Sequence, residues 1–218
     1  MTCLGWLAIL RFAQDDSRGL TPQDNELPIL RTPRLLLIPA TPATLAAELL
    51  SPAALGESLG VDVSPNWPPE LYDADAVRWT LNALESGSCP PDWCLYYFAE
   101  FAEPPARSRL IGVGGFRGGP TADGTVEIGY GVVPESRRRG YAREAVDGFV
   151  RWAFDDPRVT RVLAHTLPHL APSIGVLTSA GFSYVGPHAD AGEPDAIQYA
   201  LSRAAFESIS ATRTTSAK

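Results

Sequence analysis

Apolar residues recur along this chain with two different periods, and the change from one to the other falls at Pro134. From Thr125 to Val133 they alternate. Val126, Ile128, Tyr130 and Val132 share one face of a predicted strand, and Glu127, Gly129, Gly131 and Val133 share the other. Beyond Pro134 the spacing is helical: Ala142, Ala145, Val146, Phe149, Val150 and Ala153 form a single stripe. Asp155, Asp156 and Pro157 end it, since proline cannot continue the hydrogen-bond ladder. Two glycines on one strand face leave space beside Glu127, so a ligand or another backbone is expected to come close there.

The remaining pattern places elements on either side. Leu30 to Ile38 reads as a first strand ended by Pro39, and Thr41-Pro42 as the N-cap and first position of a helix with Leu45, Leu49 and Leu50 on its core face. Ser51 to Glu70 is rich in proline and glycine and reads as a stiff connector stapled by Trp67, or as a lip of an acceptor pocket. A helix over Asp73–Glu85, closed by Gly87, is followed by strands Trp93–Phe101 and Arg109–Phe116 and a hairpin connection over Gly118–Gly124. After the central helix come a strand Arg161–Thr166 and a helix Ala171–Ala180 with Gly181 as its cap. Phe182–Gly186 and Ala196–Leu201 are the closing strands. The prediction is one α/β domain over residues 28–203, with a mixed, mostly antiparallel sheet flanked by helices and splayed after the central strand. Residues 1–27 are expected to be an appendage and 204–218 a polar tail.

Composition narrows the partners. A formal net charge of -7 argues against a nucleic-acid surface; it mildly favours a cationic acceptor, though solubility explains the same charge better. Cys3, Cys89 and Cys94 have neither ligand spacing nor an even count, so no zinc site or disulfide framework is expected and a reducing cytoplasm fits. The apolar run Cys3–Ile9 is too short to span a membrane. There is no Gly-x-Ser-x-Gly elbow and no Walker loop, and the glycines of Leu110–Phe116 lack the following helix of a dinucleotide motif.

The chemistry concentrates at Arg137-Arg138-Arg139-Gly140-Tyr141-Ala142, between strand and helix. Three arginines at a helix start disfavour the helix unless an anion sits there, and backbone N–H groups at that end add to the attraction. Arg137-x-x-Gly140-x-Ala142 resembles the (Gln/Arg)-x-x-Gly-x-(Gly/Ala) signature of the GNAT superfamily of N-acetyltransferases. Glu127-Ile128-Gly129-Tyr130 before it, and Ser173 with Val176-Leu177-x-x-x-Gly181-Phe182 after it, match the same family, in the branch of the ribosomal-protein N-terminal acetyltransferases.

The resemblance implies an acyl-CoA N-acyltransferase fold over roughly Leu30–Leu201 and acetyl-coenzyme A as donor, its pyrophosphate held by the backbone and arginines of Arg137, Arg138, Arg139, Gly140, Tyr141 and Ala142. It implies main-chain contacts from Val132 and Val133, the Val133 N–H facing the acyl carbonyl. Glu127 becomes the expected general base, in a partly desolvated setting, with His165 the alternative. Ser173 becomes a donor to the departing thiolate, or an ordinary helix-start serine. Two departures stand out: Leu170 occupies the position of the family's usual asparagine, and Leu177 that of its frequent tyrosine acid. The expected reaction is acetyl transfer to a primary amine, on a protein N-terminus or a small molecule, by direct attack in a ternary complex without a metal. A non-catalytic acyl-CoA-binding regulator is the alternative.

Overall fold

The computed structural model describes residues 27, 29–188 and 195–216, so most of the N-terminal segment expected to be an appendage lies outside the described residues. In chain order the elements are β1 (Leu30–Arg31), β2 (Leu35–Pro39), α1 (Pro42–Leu50), α2 (Pro52–Leu59), β3 (Asp62–Val63), α3 (Ala74–Glu85), β4 (Leu95–Glu100), β5 (Arg109–Phe116), β6 (Thr125–Val132), α4 (Tyr141–Asp155), β7 (Arg161–Thr166), α5 (Ala171–Ser179), β8 (Ser183–Pro187), β9 (Ile197–Ser202) and α6 (Arg203–Ser216). The strands form one sheet ordered β1-β2-β4-β5-β6-β7-β9-β8, with β3 added in parallel at the start of β5. The parallel pairs are β3–β5 and β6–β7; all others are antiparallel.

Register assigns each side chain to a layer. Phe98, Gly112 and Val132 lie side by side across β4, β5 and β6, and so do Tyr97, Val113 and Gly131. The first row faces α4, because Phe98 meets Phe149 at 5.6 Å. The second faces α1, because the Tyr97 hydroxyl donates to Glu48 at 2.8 Å. Glu127, two positions from Gly129 and four from Gly131, belongs to the α1 face, whereas Tyr130 belongs to the α4 face. A helix over the stripe 142–153 forms as expected, with Ala145, Val146, Phe149, Val150 and Ala153 buried.

Three stretches differ from the sequence-based expectation. The first strand is a hairpin, not a continuous run: Thr32 and Leu35 exchange hydrogen bonds across the Thr32-Pro33-Arg34 turn, so Leu30 pairs with Leu37. The first half of the connector is a helix, α2, whose N-terminus is capped by Ser51 Oγ at 3.1 Å from Ala54 N and which ends on left-handed Gly60. The segment after Ser202 is helical as well. Phe206 stacks on Phe154 at 4.9 Å, and Ile209 packs against the core.

Arg203 shows why that last helix docks. The final carbonyls of a helix lack intrahelical partners, and the Arg203 guanidinium donates to the carbonyls of Phe154 and Asp156 at 2.7 Å each and of Val159 at 2.8 and 3.0 Å. Replacing Arg203 by alanine removes a charged donor from several part-buried acceptors, so Arg203→Ala is expected to cost about 2 kcal/mol of unfolding free energy. Urea denaturation measures it; an unchanged midpoint would show that water replaces the guanidinium at no cost.

Candidate active site

The sheet opens along β6. Its ladder with β5 continues to Val132, but its parallel pairing with β7 stops at Ile128 opposite Ala164. Peptide groups alternate in direction along a strand. The Val133 N–H bonds Ile111 O at 2.9 Å, so the Val132 N–H faces the other edge, the one β7 has left. This corrects one expectation: Val133 is buried and its N–H is engaged within the sheet, so it cannot face an acyl carbonyl. The open amide belongs to Val132, one residue earlier.

A cleft of about 680 Å³ runs beside this edge, lined by Tyr130, Gly131 and Val132 of β6, by the following turn, and by Leu170 and Ser173 at the start of α5. Gly140 precedes α4 at φ 85°, a left-handed conformation that glycine adopts without a Cβ penalty, and no side chain caps the helix. Among the described residues the amides of Arg138 through Arg143 donate to nothing. A run of open N–H groups at a helix N-terminus attracts an anion.

The arginines behave differently from one another. Arg137 donates through Nε to Val132 O at 3.0 Å and pairs with Glu70 at 2.9 Å. Arg139 turns towards Glu100 at 3.4 Å and lies over the Tyr141 ring. The Tyr141 hydroxyl also donates to Glu100, whose carboxyl is held below the usual range: burial pushes it up, but the Tyr141 and Arg109 hydrogen bonds and the nearby arginines outweigh that. Arg138 alone of the three has no side-chain partner among the described residues, and its φ is 57°. Protein carboxylates thus partner Arg137 and Arg139, and the Arg138 guanidinium is the one left open.

Arg34, which the sequence reading passed over, holds the turn from outside. Its backbone N–H and guanidinium grip Glu144 of α4 at 2.7–2.8 Å, Nη1 donates to Arg139 O at 2.9 Å, and the guanidinium lies 4.6 Å from the Tyr141 ring centre. No local signal reveals these contacts, because the partners are 105 and 110 residues apart.

On the other face of β6 the two candidate bases form one unit. Glu127 Oε1 lies 2.9 Å from His165 Nδ1 and 3.4 Å from Arg117 Nη1, and His165 Nε2 lies 2.9 Å from the Gln198 side-chain amide. With Nδ1–H given to the carboxylate, Nε2 is the acceptor. His188 stacks on His165 with ring centres 4.0 Å apart. Glu127 thus sits between Arg117, just past β5, and His165 of β7, with its side chain 25% exposed.

The segment Ser64–Tyr72 straps this face. Trp67 and Tyr72 donate to Glu48 at 2.9 and 3.0 Å, alongside Tyr97, which staples the strap. Burial pushes the Glu48 carboxyl up, partly offset by those hydrogen bonds. Pro69 lies over Gly131, where a Cβ would come within 3.1 Å, while Glu70 and Leu71 line the cleft. On the cleft side, Tyr130 OH lies 3.2 Å from both Ser173 Oγ and Ser173 O. Cys89 and Cys94 are buried free thiols. Among the described residues no group of three or more His, Cys, Asp or Glu could hold a metal ion, and no helix is long and apolar enough to cross a membrane.

Comparison with known proteins points the same way. Residues 34–183 match the family model described as acetyltransferase (GNAT) domain. An uncharacterized N-acetyltransferase of Bacillus subtilis (strain 168), YjdG, is 36% identical over 56 residues; the match spans 26% of this chain and only 33% of that protein. Among solved structures, apo RimL, a ribosomal L7/L12 alpha-N-protein acetyltransferase, superposes with a TM-score of 0.55 at 16% identity, over 84% of this chain and 99% of that one. Aminoglycoside acetyltransferase AAC(6')-Ib in complex with coenzyme A gives 0.54 at 20% identity, over 79% and 97%. At these identities the structural matches speak for the fold.

Proposed function

The chain belongs to the GNAT acetyltransferases, and from that premise we propose that it moves an acetyl group from acetyl-coenzyme A to a primary amine by direct attack, with both substrates bound at once. The observation that carries the reading is the run of unpartnered amides from Arg138 to Arg143, beside a cleft lined by an exposed strand edge.

The residues present fit the donor. Open amides at the start of α4, the left-handed Gly140 and the unpartnered Arg138 suit a pyrophosphate, and the Val132 N–H suits an extended amide-bearing arm lying along β6 as an added strand. The donor supplies a thioester carbonyl. Val132 takes over the main-chain role expected of Val133. Tyr141 positions the turn through Glu100, and Ala142 lines the cleft.

The amine approaches from the α1 face, where Glu127 and His165 lie. An amine attacks only as the neutral base, so a proton must leave it, and the Glu127–His165 pair receives it. Glu127 orients the imidazole and stabilises its cationic form, so the pair gains a proton at one site while the carboxylate stays charged. Ser173 supplies a hydroxyl on the cleft side. The acceptor is drawn as a cation by the acidic groups of this face, Glu127 and the strap's Glu70.

Coenzyme A titration calorimetry beside a thiol-release assay over a panel of peptides and small amines tests the reading. Binding together with thiol release on at least one amine supports it. Binding without release on any amine favours a regulator, and no binding removes the donor assignment.

A further inference from the structure

Arg34 lies outside the cleft, yet its side chain grips the peptide between Arg139 and Gly140. Nη1 donates to Arg139 O at 2.9 Å, while Nε and Nη2 hold Glu144 Oε2 at 2.7 Å each. Gly140 lines the cleft; Arg34 and Arg139 do not. We propose that Arg34 is a positioning residue for the acetyl donor: by holding the Arg139 carbonyl on the outer side, it aims the Gly140 N–H into the cleft at the donor's pyrophosphate. The inference rests on the acetyl-donor reading above.

Three features support it. The carbonyl and N–H of a trans peptide point in opposite directions, so a clamp on one sets the direction of the other. Gly140, at φ 85°, has no side chain to restrict rotation of that peptide, and its N–H donates to nothing among the described residues. The Arg139 carbonyl is therefore the handle by which the peptide is held. Arg34 also neutralises Glu144, the acidic residue in the first turn of α4, whose charge would otherwise repel an anion at that helix start.

The guanidinium is itself held in place. Its own backbone N–H and Thr32 Oγ1 donate to the same carboxylate, and the Tyr141 ring lies against it, 4.6 Å from ring centre to Cζ. A planar guanidinium serves Glu144 and the Arg139 carbonyl together, because its donors leave one plane in several directions. An ammonium is a point charge and lacks that fork. Lysine at this position therefore separates the two effects, keeping a cation beside Glu144 without the double grip.

The test reads both ends of that peptide by NMR in the full chain, with coenzyme A as the probe and calorimetry giving its affinity. Carbonyl-13C arginine combined with 15N glycine isolates the Arg–Gly bonds, which occur at Arg18–Gly19, Arg117–Gly118 and Arg139–Gly140. In the unmodified protein, coenzyme A is expected to move the Gly140 N–H signal downfield. Arg34→Lys is expected to move the Arg139 carbonyl signal of the free protein, to abolish most of the Gly140 response and to weaken coenzyme A about thirtyfold, the size of one hydrogen bond to a charged group. A purely structural Arg34 would not single out this peptide. Either the unmodified affinity or the unmodified Gly140 response in Arg34→Lys would overturn the proposal. So would an unmodified protein that binds coenzyme A with its Gly140 N–H unmoved, a result that holds even if the lysine variant folds poorly. Absence of coenzyme A binding by the unmodified protein would instead overturn the donor assignment.

Discussion

Gly140→Val is expected to weaken coenzyme A binding by about a hundredfold while leaving the melting temperature nearly unchanged. Gly140 sits at φ 85° immediately before α4, a region in which a β-branched residue is strained by roughly 1–3 kcal/mol. The contact that a Cβ makes with Arg34 Nη2, at 3.2 Å, is tolerable because a guanidinium can move. The backbone conformation is not, so the turn has to rotate peptides to relieve it. Those peptides carry the amides of Arg138 to Arg143, whose common aim at an anion would be lost. Each 1.4 kcal/mol is a factor of ten in affinity, which sets the scale. The turn packs on the core only through Tyr141 and Ala142, which follow Gly140 inside α4, so global stability is little affected. Calorimetric titration decides the matter, and an affinity equal to the unmodified protein's would mean that the pyrophosphate binds elsewhere.

Glu127→Gln is expected to lower kcat by about a hundredfold at unchanged coenzyme A affinity, the scale of a lost general base. The split follows from the two faces of β6. Glu127 points to the α1 side with His165, and neither lines the cleft, so donor binding is expected not to involve it. His165→Gln should cost a similar factor, and the double variant no more than the worse single one, since two residues passing one proton act as a unit. Steady-state kinetics with a competent amine, beside a binding titration, measures both. A Glu127→Gln protein turning over at the original rate would move the base away from this pair.

The two substitutions probe parts that differ in how openly the sequence displays them. The turn is local. A strand period, a glycine and a helical stripe lie in consecutive residues, so the turn at residues 137–142 and its candidacy as an anion site are legible without coordinates. The pairing of Glu127 with His165 is not, because the two residues are brought together by the parallel register of β6 and β7, which no short-range pattern encodes.

The misread segments follow the same division. Proline and glycine between Ser51 and Gly60 suggest a connector, yet Ser51-Pro52 is the same cap-then-proline start that marks α1, and Gly60 is a C-terminal stop; the information was local but outweighed by composition. α6 has little apolar content of its own and docks through Phe206, Ile209 and Arg203, whose partners are contributed by α4, the loop after it and the turn at Gly181.

Taken alone, the order of residues determines the central strand, the helix behind it and the signature between them that points to the family, since each depends on periods and backbone preferences spanning a few residues. Tertiary structure alone decides which strand edge stays open, that Val132 and not Val133 presents the free amide, that Arg34 braces the turn, and that Tyr130 reaches Ser173. Those outcomes depend on register and on contacts between residues 43 to 110 positions apart, where chain connectivity imposes no geometry and only packing and hydrogen-bond pairing select one arrangement.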